Sequence, residues 1–308
     1  MDRLDELALF LAIADAGSLA GAGRRVGRSP PAVTRILAEL ERRLGVRLVE
    51  RTTRRLALTD AGLRLAEHAR RLVAAFEDAM SDTAGEAVAP RGRLRISAPL
   101  VFGQRHVAPI VTAFLDAYPE VSAELSLEDR SVDLIEEGID VAVRIGHLGS
   151  SSLIARRVGQ VQRVVVASPG YLARRGTPAD PADLAGHEIV LHVSRASGAD
   201  WRFTDPGDGG ERTVRVAARF QVDKAEAAIA AAREGRGLLT VLSYQVAPDL
   251  ASGALVRLLR PFERPPVPVQ LVYPSARLLA PRVRAFLDFA APRLSGLVEL
   301  RGDRTSPT

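Results

Sequence analysis

The 308-residue chain contains no cysteine, which excludes disulfide staples, thiolate metal sites and cysteine-based redox sensing. It has a single lysine, Lys224, so its basic character rests on arginine. Aromatic residues are scarce, and Trp201 is the only tryptophan. No apolar run approaches the roughly 20 residues that a membrane-spanning helix needs. The opening MDRLDELALFLAIADAG mixes acids into its apolar residues and lacks a basic start and a cleavage site. It does not read as a signal peptide, so the expected location is the cytoplasm, with no membrane partner. The histidines (His68, His106, His147, His187, His192) are scattered, with no pair at the helical i,i+4 spacing of a zinc site. Neither a metal nor a cofactor is expected.

The length suggests two domains, and 47% hydrophobic with 26% charged residues is ordinary for a globular chain. The charge distribution says more than the total. Between Gly21 and Thr59 stand ten arginines against three glutamates, an excess of seven where the whole chain has +5. An arginine-rich bias explains the choice of Arg over Lys, but it does not explain why acids thin out here. A local basic cluster is what a polyanion partner requires.

That cluster falls on a helical pattern. Leu4, Leu7, Leu11 and Ala14, with Phe10, recur at helical spacing until Asp15-Ala16-Gly17 ends the run. Ser18 can cap a second helix, Leu19 to Val26, and Gly27 stops it. Ser29 can cap a third, with Pro30 or Pro31 in its first turn and Val33, Ile36, Leu37, Leu40 and Leu44 inward. A short Gly-containing turn between helices two and three, with Ala22 and Gly23 at the close approach, is helix-turn-helix anatomy. The second helix of such a pair reads the major groove with its N-terminal residues. Here these are Ser29, Pro30, Pro31, Ala32, Thr34 and Arg35, with Arg35 suited to a guanine and Thr34 to a base edge. Val46 and Leu48, then Leu56 and Leu58, flank the turn Arg51-Thr52-Thr53-Arg54-Arg55, which reads as a basic wing on phosphate or minor groove, or as an ordinary solvated hairpin.

From Leu7 to about Leu72 the chain resembles the LysR-type transcriptional regulators. The resemblance is carried by Ser18-Leu19, by Ser29-x-x-Ala32-Val33-Thr34-Arg35 and by Leu40-Glu41-x-x-Leu44-Gly45-Val46-Arg47-Leu48. It continues through Arg51-Thr52-Thr53-Arg54 and Leu58-Thr59-x-Ala61-Gly62. Three positions depart from the family pattern: Pro30 replaces a usual Gln, Gly23 a second Ala, and Val49 a Phe. After the wing, Leu65, Ala69, Leu72, Phe76 and Ala79 step by 4, 3, 4 and 3, an a/d seam. It reads either as packing on the chain's own domain or as pairing with a second copy. The resemblance implies pairing: a homodimer, often doubled to a homotetramer through the effector domains. It also implies double-stranded operator DNA, a small-molecule effector and RNA polymerase as partners.

Beyond a hinge at 86–92, strands and helices alternate: an alternating strand to Ala98, a helix from Phe102 to Tyr118, the strand VSAELSL, a short helix at 132–137 and a buried strand at 141–143. The pattern predicts a parallel sheet covered by helices on both faces. The resemblance extends more weakly through RLRISAP, EEGIDVAVRIG and APDLASGALVRLL. It implies an all-α winged helix-turn-helix domain plus an α/β periplasmic-binding-protein-like effector domain of two lobes. The expected layout is 1–59 for DNA binding, 60–91 for the linker helix and hinge, and 92–298 for the effector domain. Lobe one would take 92–162 and 267–298, lobe two 163–266, and 299–308 a flexible tail.

Ligands of open α/β sheets sit at the carboxyl ends of strands. The candidates are therefore Ser97, Ala98, Pro99, Leu100 and Val101, then Arg144, Ile145 and Gly146, with Trp201, Asp223, Lys224 and Ala225 from lobe two. Amides at Leu100 to Phe102 would favour an organic anion. Arg144 would be its counter-charge or half of a lobe-to-lobe salt bridge, and Trp201 would line the cleft or pack in a core. Gly235-Arg236-Gly237 follows a helix rather than a strand and reads as a C-cap, not a phosphate loop. No nucleophile elbow or catalytic constellation appears, so an enzyme is not expected. The competing reading is a cytoplasmic solute-binding module with an incidental helical head; an exported solute-binding protein would need an export signal, and none is read here.

Overall fold

The computed structural model describes residues 2–51, 56–83, 89–130, 133–148, 153–193, 198–274, 279–297 and 300. The chain divides into two units, Met1–Val88 and Ala89–Thr308.

In the first unit α1 (Arg3–Ala16), α2 (Leu19–Arg25) and α3 (Pro30–Leu44) precede a hairpin of β1 (Val49–Arg51) and β2 (Leu56–Leu58), and α4 (Asp60–Thr83) follows. Ser18 caps α2, its hydroxyl accepting from the Gly21 amide at 3.1 Å. Ser29 occupies the same place on α3, but its side chain makes no cap bond, and Pro31 at the second position has no N–H to offer. Gly23 allows the close approach of the motif: a Cβ there would meet the Arg28 carbonyl oxygen at 2.5 Å.

The core differs from the expected stripe on α1. Leu9, Phe10, Ala12 and Ile13 are buried, whereas Leu4, Leu7, Leu11 and Ala14 lie half-buried on roughly the opposite side. The helix is apolar nearly all round, so spacing alone cannot choose its inner face. Leu44 and Val46 are exposed rather than inward. The wing begins at Val49, after consecutive buried Leu48 and Val49, and pairs Val49 with Leu58 and Arg51 with Leu56. Glu41 fixes its start by accepting from the Leu48 and Val49 amides at 2.8 and 3.1 Å. Thr59 accepts from the Gly62 amide at 3.0 Å and donates to the Arg47 carbonyl at 2.7 Å, holding α4 under the wing. A Cβ on Gly62 would meet the Leu48 carbonyl oxygen at 2.0 Å. Gly62→Ala is therefore expected to force α4 off the wing and cost about 1–3 kcal/mol; a chemical melt with wild-type stability would contradict this contact.

In the second unit β3 (Gly92–Ala98) leads through α5 (Leu100–Phe102), a π turn and α6 (Ala108–Ala117) to β4 (Val121–Leu127) and β5 (Val141–Ile145). Then come β6 (Ile154–Val161), β7 (Arg163–Ala167), α7 (Pro169–Arg175), β8 (Val190–His192), β9 (Asp200–Thr204), β10 (Glu211–Arg215) and β11 (Phe220–Val222). The chain closes with α8 (Ala225–Arg233), β12 (Leu239–Leu242), α9 (Ala247–Ser252), β13 (Val256–Leu258), β14 (Val267–Tyr273) and α10 (Pro281–Ser295). Lobe one is a five-stranded sheet in the order β4-β3-β5-β14-β6. It is mixed, not parallel: β3 runs parallel to β4 and β5, but β14 re-enters from lobe two antiparallel to β5 and β6. Lobe two has an antiparallel sheet β12-β7-β13, joined through the Ile189–Leu238 bridge to the parallel pair β8-β11, and a β9-β10 hairpin.

Residues 134–138 form turns instead of the expected helix, since Asp133 accepts from the Ile135 and Glu136 amides at 2.9 and 3.0 Å and Gly138 turns to positive φ. Leu300, placed by sequence in a tail, is 2% exposed in the lobe-one core, directly over Gly159, where a Cβ would lie 2.6 Å from its own. The rest of the expected tail, 299 and 301–308, lies outside the described residues, as do 84–85 of the expected linker helix and 86–88 of the expected hinge.

Candidate functional site

The N-terminal turns of α3 present Ser29, Pro30, Pro31 and Arg35 exposed, with Ala32 and Thr34 half-buried behind them. Val33, Leu37 and Leu40 anchor the opposite face in the core. The arginines of this unit fall into two groups. Arg43 pairs with Glu6, Arg42 with Glu39, and Arg25 and Arg70 both reach Asp15, at 3.7 and 2.8 Å. Arg24, Arg28, Arg35 and Arg47 have no carboxylate partner among the described residues. Unneutralised cations thus sit on α2, the turn after it, α3 and the wing approach, with Arg3 on α1 and Arg64 on α4 also unpaired among the described residues, while Arg43, Arg25 and Arg70 link different helices and Arg42 pairs within α3. Thr52, Thr53, Arg54 and Arg55 lie outside the described residues; Arg51 ends β1, and its side chain lies outside them too.

On α4, Gly62, Ala66 and Ala69 are buried and Val73 half-buried, forming the face toward the unit's own core. Leu65, Leu72 and Phe76 fall on a flank rotated by roughly 70° at 3.6 residues per turn. Leu65 is half-buried there, but Leu72 is 55% and Phe76 45% exposed. The proposed seam therefore splits: Ala69 packs inside the unit, Leu72 and Phe76 do not, and the Ala79 side chain lies outside the described residues.

In the second unit a cavity of about 460 Å³ opens between the lobes. Lobe one contributes Pro99, Asp129, Arg144, Ile145 and Gly146, and lobe two contributes Arg163, His192, Tyr244 and Arg264. Of the sequence candidates, Pro99, Arg144, Ile145 and Gly146 meet here; the others do not. Ser97 is 3% exposed and Ala98 1%, because β3 is an inner strand covered on both faces. Leu100 and Val101 turn away, and the Leu100 amide already donates to Asp129 at 3.1 Å, so an internal carboxylate holds the place expected for an anion. Trp201 packs in the core of lobe two. Asp223 and Lys224 pair with each other, both exposed, and Ala225 is buried. Lys224 stands at the N-cap of α8 without a side-chain cap bond.

Sequence reading missed Arg163, His192, Tyr244 and Arg264. Arg163 carries a detectable signal: it is the one charge leading the apolar strand RVVVA, at the crossover into lobe two. It has no carboxylate partner among the described residues. Burial, with Arg264 nearby, pulls its pKa below the ordinary guanidinium value without discharging it at neutral pH. Burial does the same to Arg144, whose Nη1 donates to the Arg130 carbonyl at 3.4 Å, a contact within lobe one. Arg130 is itself held by Glu137 and Glu128. Burial also raises the Tyr244 hydroxyl, keeping it a neutral phenol. Across the cleft, Arg105 donates to the Tyr244 and Gln245 carbonyls at 3.1 Å each, and Phe102 meets Tyr244 edge-on at 5.3 Å.

His192 is held below its ordinary 6.5, chiefly by burial, which Asp129 opposes. Its folded pKa is depressed, so its contribution to stability is present above about pH 6.5 and is lost as pH falls through the folded value. Thermal melts of the wild type should therefore lose more stability than His192→Gln on acidification from about pH 7 to about pH 5. Parallel pH profiles would refute a neutral buried histidine.

Two family models match the chain. Residues 4–63 match the bacterial regulatory helix-turn-helix protein, lysR family, and residues 87–295 match the LysR substrate binding domain. The chain belongs to the LysR family. It is a DNA-binding transcriptional regulator with a C-terminal effector-binding domain. It is 36% identical over 286 residues to the transcriptional regulator PtxR of Pseudomonas aeruginosa, covering 93% of this chain and 91% of that one. It is 31% identical to the regulator CrgA of Neisseria meningitidis, over 94% and 96% of the two chains. The solved structure of CrgA superposes with a TM-score of 0.60 at 29% identity, covering 96% of this chain and 99% of that one. Full-length AphB, the Vibrio cholerae virulence activator, gives 0.59 at 29%, covering 94% and 98%. In this LysR chain the first matched segment lies in the first compact unit and the second, but for its first two residues, in the second, and no helix among the described residues is long and apolar enough to cross a membrane.

Proposed function

We propose that this regulator works in the cytoplasm as a homodimer, doubled to a tetramer through its effector domains, with no enzymatic activity. Ser29 to Arg35 read a major groove, the wing Arg51 to Arg55 tracks the backbone, and Leu72 and Phe76 join two copies. A small organic anion binds between the lobes, held by Arg144 and Arg163 against the apolar lining of Ile145, Val241 and Val267. The volume suits such a ligand, since effector-sized pockets run from about 300 to 1,000 Å³. RNA polymerase is the partner that reads out the bound state.

The observation that carries the effector reading is Arg163, a mostly buried guanidinium with no counter-charge among the described residues, facing Arg144 across one cavity. Two cations there favour a carboxylate over a neutral ligand. Binding would favour one lobe closure over another, because a ligand shifts a conformation only through unequal affinities. The test is a thermal-shift screen of the full chain against small organic acids, repeated with Arg144→Ala. A charge-assisted hydrogen bond is worth about 1.5–3 kcal/mol, so the variant should lose roughly ten- to a hundredfold in affinity while retaining basal DNA binding. A ligand that binds the variant as tightly as wild type would displace the site from this cleft.

A further inference from the structure

A second cavity, of about 480 Å³, lies inside lobe two. It sits on the face of the β12-β7-β13 sheet that carries Arg163 and Val165, beside β9 of the hairpin. Val165, Trp201, Phe203 and Leu259 supply apolar walls. Arg163 and Arg264 line both this cavity and the cleft.

The charges around it do not cancel. Asp200 is paired outward with Arg215 at 3.7 Å, and Glu263 is held by two bonds from Arg257 at 2.7 and 2.6 Å. Arg202 and Arg264 share one carboxylate, Glu211, at 3.8 and 3.2 Å. Arg163 has none among the described residues, so the lining keeps a surplus of positive charge. A largely buried cation without a counter-ion is destabilising, and an anion at this place relieves it. Trp201, 4% exposed, lends this wall a broad apolar indole face beside Val165.

We propose that the lobe-two cavity is a second binding site, for a small aryl carboxylate whose charged end meets Arg163 and whose flat apolar body packs against Trp201 and Val165. The site rests on its own cavity and does not depend on the cleft reading, although the two share Arg163. Residues unique to each separate them: Arg144 lines only the cleft, and Ala199 lines only the lobe-two cavity.

Trp201 is the chain's only tryptophan, so intrinsic fluorescence reports from this wall. The experiment titrates the full chain with benzoate and, as the uncharged control, benzamide. The expected result is a saturable change with benzoate and none with benzamide. Arg163→Gln should weaken it at least tenfold, by loss of a charge-assisted bond, and Arg163→Lys should recover part of that loss. Ala199→Phe, which adds bulk from a half-buried wall position, should abolish the response, and it decides the matter even if an Arg163 variant does not fold. Arg144→Ala should leave the response unchanged. No saturable change at millimolar benzoate, an equal response to benzamide, or a full response in Ala199→Phe would each overturn the proposal. So would loss of the response in Arg144→Ala, which would place the ligand in the cleft and leave the cleft reading standing.

Discussion

Leu72→Asp is expected to turn a stable dimer into monomers and to weaken operator binding by a factor on the order of 10² to 10⁴, the range over which linking two binding modules raises avidity. The reason lies in how α4 divides its faces. Gly62, Ala66 and Ala69 are spent on the unit's own core, with the Arg70–Asp15 ion pair at 2.8 Å tying the helix to α1. The flank of Leu65, Leu72 and Phe76 is left, and its two most exposed members are large and apolar. In the proposed dimer this flank, at heptad spacing, is buried against a copy of itself. An aspartate there must be desolvated without a partner, which the seam cannot offset. Each monomer keeps its reader helix, so residual binding should be weak and no longer sensitive to half-site spacing. Sedimentation velocity at micromolar concentration checks the first half, and wild-type protein running as a monomer would rule out this seam.

Arg35→Ala should cost about 1–3 kcal/mol per half-site and relax the preference at one base position. Arg35 is exposed near the start of α3 and has no carboxylate partner among the described residues, so no internal pair must be broken for it to reach a base. The neighbouring Arg42 and Arg43 are committed to Glu39 and Glu6 and should matter less. Arg28→Ala offers the contrast. It is also exposed and unpaired among the described residues, but it sits in the turn before the reader helix, where phosphate is the nearer target. Its loss should weaken binding evenly across sequences and reduce the salt slope by about one. Binding curves on a set of single-base operator variants separate the two, and identical profiles for both variants would contradict the assignment of Arg35 to a base.

The reader unit was largely legible because its signals are local. Ser18 before a small-residue helix, Gly17 and Gly45 at left-handed stops, and two prolines opening α3 each act within a few residues. The inner face of α1 was not legible, since a helix apolar on every side takes its orientation from its partners. Glu41 belongs with these: its role appears only when α3 brings it under the amides of Leu48 and Val49.

The effector unit was legible as strand and helix alternation but not as a site. The strand-end rule found Arg144 to Gly146 and missed Arg163, because Arg163 starts its strand and reaches the cleft only through the crossover between lobes. The amide of Leu100 was a sound donor in the wrong company, as Asp129 comes from the neighbouring strand end to accept its bond. The β9-β10 hairpin went unread; its strands alternate buried and exposed residues, but Trp201 and Phe203 are the only large apolar residues on β9. Trp201 sits in the lobe-two core, as its size favours, and also lines that lobe's cavity.

This LysR regulator is expected to recognise a particular DNA sequence, with a ligand between its lobes changing that recognition. The most direct measurement is fluorescence anisotropy of the full chain on the duplex upstream of its own gene and on a scrambled duplex of equal length and composition. Both are titrated with salt, and both are repeated with whichever organic acid stabilises the wild type but not Arg144→Ala. The expected result is tighter binding to the upstream duplex by at least about 10³-fold, the lower end for specific over non-specific sites, and a ligand-dependent change on that duplex alone. Equal affinity for the two duplexes at every salt concentration would contradict it.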